Sequence, residues 1–420
     1  MAEEKPKTQM HTVYAAETAI LAAVESGQDP EELRELVSSA GVEALTEFRQ
    51  NRSSPSPTTY FGHGKAEELG LLVAQLGANV VVTDDDLSPT QQRNLEEVIG
   101  TRVVDRTQLI LDIFAQRAHT KEGKLQVELA QLTYLLPRIS AQYTKFERQQ
   151  GGIGMRGPGE TKLEADRQRI RKRISDLEDE IEEVSKQRGV ARSSRRKTPF
   201  PSAALVGYTS AGKSTLLNVL TGADVFVDAK LFATLDPTTR RVLLPDGWGV
   251  LLTDTVGFIR RLPHHLVAAF RATLEEVTQA DLLVHVMDAA SPEMEAHGVA
   301  VDKVLKELGA GSKPRVTVLN KADLVKDQFW LREYVATHED SVYISALNRD
   351  GLNHLLVAVE RALQRLLVPM RLALPYAEGH LLTLCHEGGQ VTKVEYNNDH
   401  ILVEGRFNRE VAGRLRGFQA

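Results

Sequence analysis

One short stretch decides most of what this chain can fold into. "GYTSAGKST", Gly207 to Thr215, follows the apolar run "AALV" and leads into "STLLNVL". It fits the spacing G-x-x-x-x-G-K-[ST], in which a strand ends in a glycine-rich loop and a helix begins at the lysine. The glycines let backbone N–H groups close around phosphates at the helix N-terminus. Such a loop demands a parallel α/β sheet with the site at the carboxyl ends of its strands. The expected phosphate-binding residues are Gly207, Tyr208, Thr209, Ser210, Ala211, Gly212, Lys213, Ser214 and Thr215. Lys213 is expected to reach the β- and γ-phosphates, and Ser214 to ligate Mg²⁺.

Three further motifs narrow the ligand. "GVLLTDTVG" carries an apolar strand into Asp254-Thr255-Val256-Gly257, a D-x-x-G. Asp254 is placed to hold Mg²⁺ through water, and the Gly257 N–H to face the γ-phosphate. "NKAD", Asn320 to Asp323, follows the strand "RVTVL". A carboxylate at Asp323 can accept from both N1–H and the exocyclic amino group of guanine, a donor pair that adenine lacks. Asn320 would buttress the base loop, Lys321 would lay its alkyl stem along the ring, and "SAL" (Ser345, Ala346, Leu347) would close the pocket. Four motifs in this order, each at the end of a strand, are no accident. They predict a GTP and GDP site with Mg²⁺.

Between Ala223 and Arg240 lies the expected first switch, with Thr234 in "FATLDPTTR" as the Mg²⁺-binding threonine and Phe232, Ala233 and Leu235 around it. Thr238 and Thr239 are rivals, though they read equally well as solvated turn residues after Asp-Pro. The second switch runs from Asp254 to Phe258. Many small GTPases place a Gln after the D-x-x-G to orient the attacking water. Phe258 cannot do this, because its side chain neither donates nor accepts a hydrogen bond.

The rest of the chain divides on pattern. Its 420 residues allow two to four domains. Residues 1–118 alternate strand-like and helix-like segments, such as "DPEELRELVSSAG", "NVVVTDDDLSPTQQRNLEEVIG" and "TRVVD", which predicts a small parallel α/β domain. Residues 119–198 read as an antiparallel helical hairpin. Leu125, Leu129, Leu132, Leu136 and Ile139 mark one apolar stripe, with a kink expected at Pro137. Leu163, Ile170, Ile174, Leu177, Ile181 and Val184 mark the other at coiled-coil spacing. "GGIGMRGPGE" is too glycine-rich for helix and forms the tip. Residues 199–366 hold the nucleotide motifs on a mainly parallel sheet, with a hairpin at the DG of "LLPDGWGVLL". Residues 367–420 read as a small C-terminal α/β domain, with two strands around Asn397-Asn398-Asp399. The fold class is therefore multidomain α/β.

Composition excludes little but is consistent. A net charge of −6 confines any nucleic-acid contact to local basic patches. The single cysteine, Cys385, rules out an intramolecular disulfide and reads as a small buried hydrophobe. "MAEEKPKTQM" has no apolar signal region, and no apolar run is long enough to span a bilayer, so a cytoplasmic protein is expected. Three tempting features read more simply as structure. "FGHGK" lacks the first glycine of a phosphate loop, since residue 59 is Thr59; Asp84 to Asp86 read as a solvated turn; and His285 reads as a hydrogen-bonded core residue.

At this point the chain resembles the HflX GTPases. "DRTQLILDIFAQRAHTKEGKLQVELAQLTYLLPR", "GGIGMRGPGETKLE" and "DTVGFIRRLPHHLVAAFRATLEE" are similar to that family's signature stretches, and the four-part layout is similar too. The resemblance implies GTP hydrolysis coupled to the large ribosomal subunit and its rRNA, with splitting or rescue of stalled or idle ribosomes in some members, notably after heat stress. It implies an apolar residue after D-x-x-G as the rule, hence slow intrinsic turnover accelerated by the ribosome. ATP is a further nucleotide implied for the family, in part through the N-terminal domain, but "FGHGK" gives it no Walker motif here. Family members usually have Asn where this loop has Ser210, and that Asn helps to hold potassium in related GTPases. A Ser hydroxyl is a shorter, weaker ligand, which argues against potassium activation. RNA contacts would come from Lys145, Arg148, Arg156 and the run Arg188 to Lys197, with Arg192, Arg195, Arg196 and Lys197 foremost. A solvated linker explains that run equally well. Arg260 or Arg261 could assist the chemistry in cis, though both read more simply as exposed and unrelated to the phosphates, and a monomer is expected. Two rival readings are a nucleotide-gated anti-association factor with negligible turnover and an ATP-driven RNA-remodelling enzyme.

Overall fold

The structure is a computed structural model, and the residues it describes are 17–25, 31–147, 158–195, 200–222, 231–261 and 271–420. They form two compact units, Met1–Glu182 with Lys230–Phe232, and Glu183–Ala229 with Ala233–Ala420.

The first unit is built on four parallel strands: β1 (Thr18–Glu25), β2 (Glu43–Asn51), β3 (Val80–Thr83) and β4 (Arg102–Val104). Their order is β2-β1-β3-β4. Helices α1 (Glu31–Ser39), α2 (His63–Leu76) and α3 (Pro89–Ile99) connect them, and α4 (Arg106–Arg117) follows β4. Every residue of β3 is buried, as a parallel strand covered on both faces requires. The caps follow the sequence. Ser88 and Gln91 form a reciprocal capping box around Pro89, and Gly100 ends α3 in the left-handed region. Asp29 and Pro30, which open "DPEELRELVSSAG", lie outside the described residues.

The hairpin comprises α5 (Lys121–Glu147) and α6 (Pro158–Arg195). Arg173 of α6 makes a two-pronged contact with Glu128 of α5, at 2.8 and 3.0 Å, which fits antiparallel pairing. The buried face of α5 differs from the expected stripe. Leu125 and Ile139 are buried as expected, but so are Val127, Ala130 and Tyr134, whereas Leu129, Leu132 and Leu136 are only half-buried. The reason is that α5 also packs on α3 and α4, so it serves two neighbours and hides two faces. The helix continues through Pro137. On α6 Leu177 is fully buried, with Ile170, Ile174, Ile181 and Val184 half-buried around it.

The acidic turn differs from the solvated loop expected. Asp84 pairs with Arg106 at 2.7 Å, Asp85 accepts from the Tyr60 hydroxyl at 2.7 Å, and Asp86 is bonded by the Thr107 hydroxyl. The turn leaves β3 beside the start of α4, so its carboxylates meet that helix's first residues.

The second unit contains the motif-bearing sheet. Its elements are β5 (Ser202–Val206), α7 (Lys213–Thr221), β6 (Thr238–Leu243), β7 (Gly249–Asp254), α8 (Arg271–Gln279) and β8 (Leu282–Asp288). They continue with α9 (Met294–Glu307), β9 (Arg315–Asn320), α10 (Gln328–Thr337), β10 (Ser341–Tyr343) and α11 (Leu352–Gln364). The order is β10-β9-β8-β5-β7-β6, parallel except for β6, which turns into β7 through the DG hairpin. Alternate residues of β8 face opposite sides. Leu282, Val284 and Val286 join a core with Leu216 of α7 and Leu355 and Val359 of α11, while Met287 packs with Met294 and Leu331.

After this sheet come β11 (Val368–Pro375), α12 (His380–Gly388), β12 (Gly389–Tyr396), β13 (His400–Phe407) and α13 (Arg409–Leu415). The strands are antiparallel in the order β11-β13-β12, so a third strand joins the expected pair. Cys385 sits fully buried in the core of this sheet, and burial pushes its thiol up to about 11. No described helix is long and apolar enough to cross a membrane.

Candidate functional site

The four motifs meet because β5, β7, β9 and β10 are parallel and end on the same edge of one sheet. The phosphate loop joins β5 to α7. Ala211 is fully buried within it, whereas Ser210 is exposed and in the left-handed region at φ 61°. Gly212 has φ 93°, and a Cβ there would stand 2.3 Å from Asn320 Nδ2, so only glycine fits. Lys213 is buried and donates to the carbonyls of Gly207 (3.0 Å) and Tyr208 (2.9 Å). Burial lowers its ammonium to about 8, opposed by the charge of Asp254.

Below the loop lies a cluster of hard oxygens. Ser214 Oγ is 2.7 Å from Thr234 Oγ1 and donates to Asp254 Oδ2 at 2.6 Å. Thr234 is therefore the threonine that meets Ser214. Thr238 and Thr239 lie in β6 instead, where Thr239 Oγ1 is 2.9 Å from Thr253 Oγ1. Burial raises the Asp254 carboxyl, while Lys213 and the Ser214 and Thr234 hydroxyls favour its charged form. Its Oδ1 is buried without a well-formed hydrogen bond among the described residues. Two hydroxyls and one carboxylate suit a small hard cation such as Mg²⁺, whose remaining ligands would be phosphate and water. The described residues hold no cluster of three His, Cys, Asp or Glu that would suit a softer or tighter-held metal.

The base side is stitched by Asn320. This side chain is buried; Nδ2 donates to Ala211 O at 2.8 Å and Oδ1 accepts from the Ala346 N–H at 3.0 Å. It thus joins the phosphate loop, the N-K-x-D turn and the S-A-L loop. Lys321 lies at φ 62° with Nζ on Asp288 at the end of β8. Asp323 is exposed, within the short 3-10 turn Ala322–Leu324. Ser345 and Ala346 are buried, Ser345 Oγ accepts from the Asn348 N–H at 3.1 Å, and Leu347 is 78% exposed.

The second switch lies against the phosphate loop. Thr255 Oγ1 donates to Leu205 O at 2.6 Å, and Val256, Gly257 and Phe258 are buried. Phe258 is bridged to Tyr208: its N–H donates to Gly207 O at 3.1 Å, and its carbonyl accepts from the Thr209 N–H at 2.7 Å. The first switch is divided. Thr234 and Leu235 belong to the second unit, whereas Phe232 belongs to the first, where its ring meets Phe114 edge-on at 4.6 Å. Ala233, between them, is half-buried.

Sequence reasoning missed a group beside this switch. Arg260, expected to be exposed, is mostly buried and ion-paired with Glu293, just before α9; Arg261 is exposed as expected. Nothing in the local pattern announces that pair. His285 is 4% exposed in β8, and burial, together with the Arg315 charge, lowers it to about 4, so the ring is neutral. Among the RNA candidates, Arg148, Arg156, Arg196 and Lys197 lie outside the described residues; Arg192 and Arg195 lie in α6, and their side chains are outside the description.

Comparison with known proteins adds the lineage. Residues 28–115 match the family profile "GTP-binding GTPase N-terminal", 117–195 "GTP-binding GTPase Middle Region", and 202–321 "50S ribosome-binding GTPase". "GTPase HflX" of Caldanaerobacter subterraneus subsp. tengcongensis is 48% identical over 406 residues, 96% of this chain and 94% of its own. "GTPase HflX" of Escherichia coli K12 is 48% identical over 376 residues, 87% of this chain and 88% of its own. Among solved structures, the GDP complex of SsGBP covers 83% of this chain and 99% of its own, at 27% identity and a TM-score of 0.49. The 48% identity to the Caldanaerobacter protein along nearly the whole chain places it plainly: it belongs to the HflX family of GTPases.

Proposed function

We propose that this GTPase binds the large ribosomal subunit, keeps both switches ordered while the γ-phosphate is present, and uses hydrolysis to time the dissociation or rescue of stalled and idle ribosomes. The observation that carries the reading is Phe258. The groups that would bind nucleotide converge, yet the residue after D-x-x-G is a phenyl ring 1% exposed to solvent. Such a site can hold GTP but has no side chain there to orient water. A partner that orders the switches or supplies the missing group in trans would complete it, and such groups contribute about 10³–10⁵ in rate. The match of residues 202–321 to a 50S ribosome-binding GTPase supports the large subunit as that partner.

Hydrolysis is in-line attack of water on the γ-phosphorus with loss of GDP. Lys213, which donates to its own loop in this structure, turns its protons to the β- and γ-phosphate oxygens. The loop N–H groups from Ser210 to Thr215 hold the β-phosphate, and the Gly257 N–H takes the γ-phosphate. Ser214 and Thr234, with Asp254 behind them, would hold Mg²⁺, which offsets phosphate charge when bound. Asp323 selects guanine over adenine. The Ser210 hydroxyl, shorter and weaker than an amide ligand, puts activation by potassium in doubt.

The test is GTP turnover of the full chain alone, with large subunits and with whole ribosomes, beside Lys213→Ala. Stimulation by large subunits of at least a hundredfold, lost in the variant, is expected. A rate that stays flat would sink ribosome-activated hydrolysis and leave a nucleotide-gated anti-association factor. ATP turnover surviving in Lys213→Ala would move the chemistry to the N-terminal domain.

A further inference from the structure

Four side chains, one from the phosphate loop and three outside the nucleotide motifs, meet beside the second switch. The Tyr208 ring lies flat on His297 of α9, with centroids 3.7 Å apart and planes 11° from parallel. Its hydroxyl oxygen accepts the backbone N–H of Arg260 at 2.9 Å. The Arg260 guanidinium pairs with Glu293, whose carboxylate also lies 3.7 Å from His297 Nε2. Tyr208 belongs to the phosphate loop, Arg260 to the segment after D-x-x-G, and Glu293 and His297 to the start of α9. The cluster therefore ties the phosphate loop and the segment after D-x-x-G to the start of α9.

What it holds is a closed arrangement. Phe258 is zipped to Gly207 and Thr209 through its own N–H and carbonyl. A Cβ on Gly257 would stand 2.7 Å from Thr209 Cα and 3.1 Å from Lys213 Nζ, so this glycine lies directly on the loop. The Lys213 protons point to loop carbonyls. A γ-phosphate bound by both Lys213 and the Gly257 N–H must separate these groups, whereas GDP makes no such demand. We propose that Glu293 is a positioning residue which, through Arg260 and Tyr208, holds the second switch closed on the phosphate loop and so sets the discrimination between GTP and GDP. A contact present only in the closed state opposes only the ligand that opens it. The Glu293 side chain is 40% exposed, so loosening the pair is worth a threefold to fivefold change, of the order measured for exposed ion pairs.

This inference rests on guanine-nucleotide binding at the loop and is independent of the ribosome. The experiment is stopped-flow binding of fluorescently labelled GDP and of a labelled non-hydrolysable GTP analogue to the full chain. Wild type, Glu293→Gln, Arg260→Gln and the double variant are compared, with thermal melting in parallel. Glu293 makes no side-chain cap to α9, so the amide leaves that helix start intact. The expected result is an affinity for the GTP analogue raised about threefold to fivefold with GDP unchanged, and a double variant no different from either single one. An unchanged ratio of the two affinities, an equal change in both, or additive effects of the two substitutions would overturn the latch while leaving nucleotide binding intact. Failure of wild type to bind either nucleotide would overturn both readings.

Discussion

Asn320 is the sharpest single test of how this site is assembled. Its buried amide bonds both the phosphate loop and the S-A-L loop, donating to Ala211 O at 2.8 Å and accepting from the Ala346 N–H at 3.0 Å. Asn320→Ala strands both backbone groups in a nearly water-free place. An orphaned buried donor or acceptor costs about 1–3 kcal/mol, so the pair could cost about 2–6 kcal/mol in total. Water entering the vacated volume recovers part of this. A loss of about 2–3 kcal/mol in folding stability is therefore expected, and the loops, no longer held in one geometry, lose affinity for nucleotide. GTP and GDP should weaken together, because the stitch supports the base and β-phosphate side that they share. Asn320→Asp separates the two bonds. It keeps the acceptor for Ala346 but sets a carboxylate against the Ala211 carbonyl, so it should harm as much as alanine at pH 7.5 and recover partly at pH 5.5, where a carboxyl can donate. The assay is equilibrium titration with fluorescent GDP and GTP analogue at both pH values, with melting temperature as a check on folding. Affinities within twofold of wild type, or a loss confined to GTP, would refute the argument.

Two further outcomes follow from burial. His285 is neutral with its pKa near 4, against about 6.5 in an unfolded chain. Above pH 6.5 neither state carries the proton; as pH falls from 6.5 to 4 only the unfolded chain gains it, so the folded state loses up to about 3 kcal/mol across that window. Urea unfolding followed by tryptophan fluorescence should show this slope in wild type and a flatter one in His285→Asn; equal slopes would contradict it. Phe258→Gln restores the residue that other GTPases use, yet it should lower stability by about 2–4 kcal/mol through lost apolar burial and a trapped amide, without raising ribosome-free turnover. A tenfold faster ribosome-free rate in that variant would show that the side chain does reach the nucleotide.

The nucleotide motifs were legible because each is local: a strand, a loop of fixed length and a helix start are written in consecutive residues. Parallel strands then bring the loops together, so Ser214, Thr234 and Asp254 meet although twenty or more residues separate each from the next. The latch was not legible because its members read alone as surface residues. Arg260 and Glu293 look like solvated charges until the register of β7, β8 and α9 sets them side by side. The acidic turn misled for the same reason: Asp84, Asp85 and Asp86 suggest solvent, but β3 delivers them to Arg106, Tyr60 and Thr107. The stripe on α5 was misplaced because periodicity names an apolar face without saying how many neighbours the helix serves. The third C-terminal strand, "VPMRLALP", was hidden by its two prolines. They fall at its start and end on an edge strand, where missing N–H groups cost the ladder little.

Phe258 then stops being an anomaly. A water-positioning side chain must be free to face the γ-phosphate, but this residue has a structural task that occupies it fully. Its ring is packed away from solvent, and its backbone joins the second switch to Gly207 and Thr209. A polar side chain there would weaken the closed arrangement that the Tyr208, Arg260 and Glu293 contacts reinforce. The chain therefore separates two jobs that other switches combine at one position. The nucleotide motifs sit at strand ends, while the residue after D-x-x-G is bonded through its backbone to the phosphate loop. On the proposed function, such a switch would turn over slowly alone and faster once the large subunit orders the second switch and the attacking water. For a molecule whose proposed task is to time an event on a much larger particle, the group that completes the site belongs on that particle.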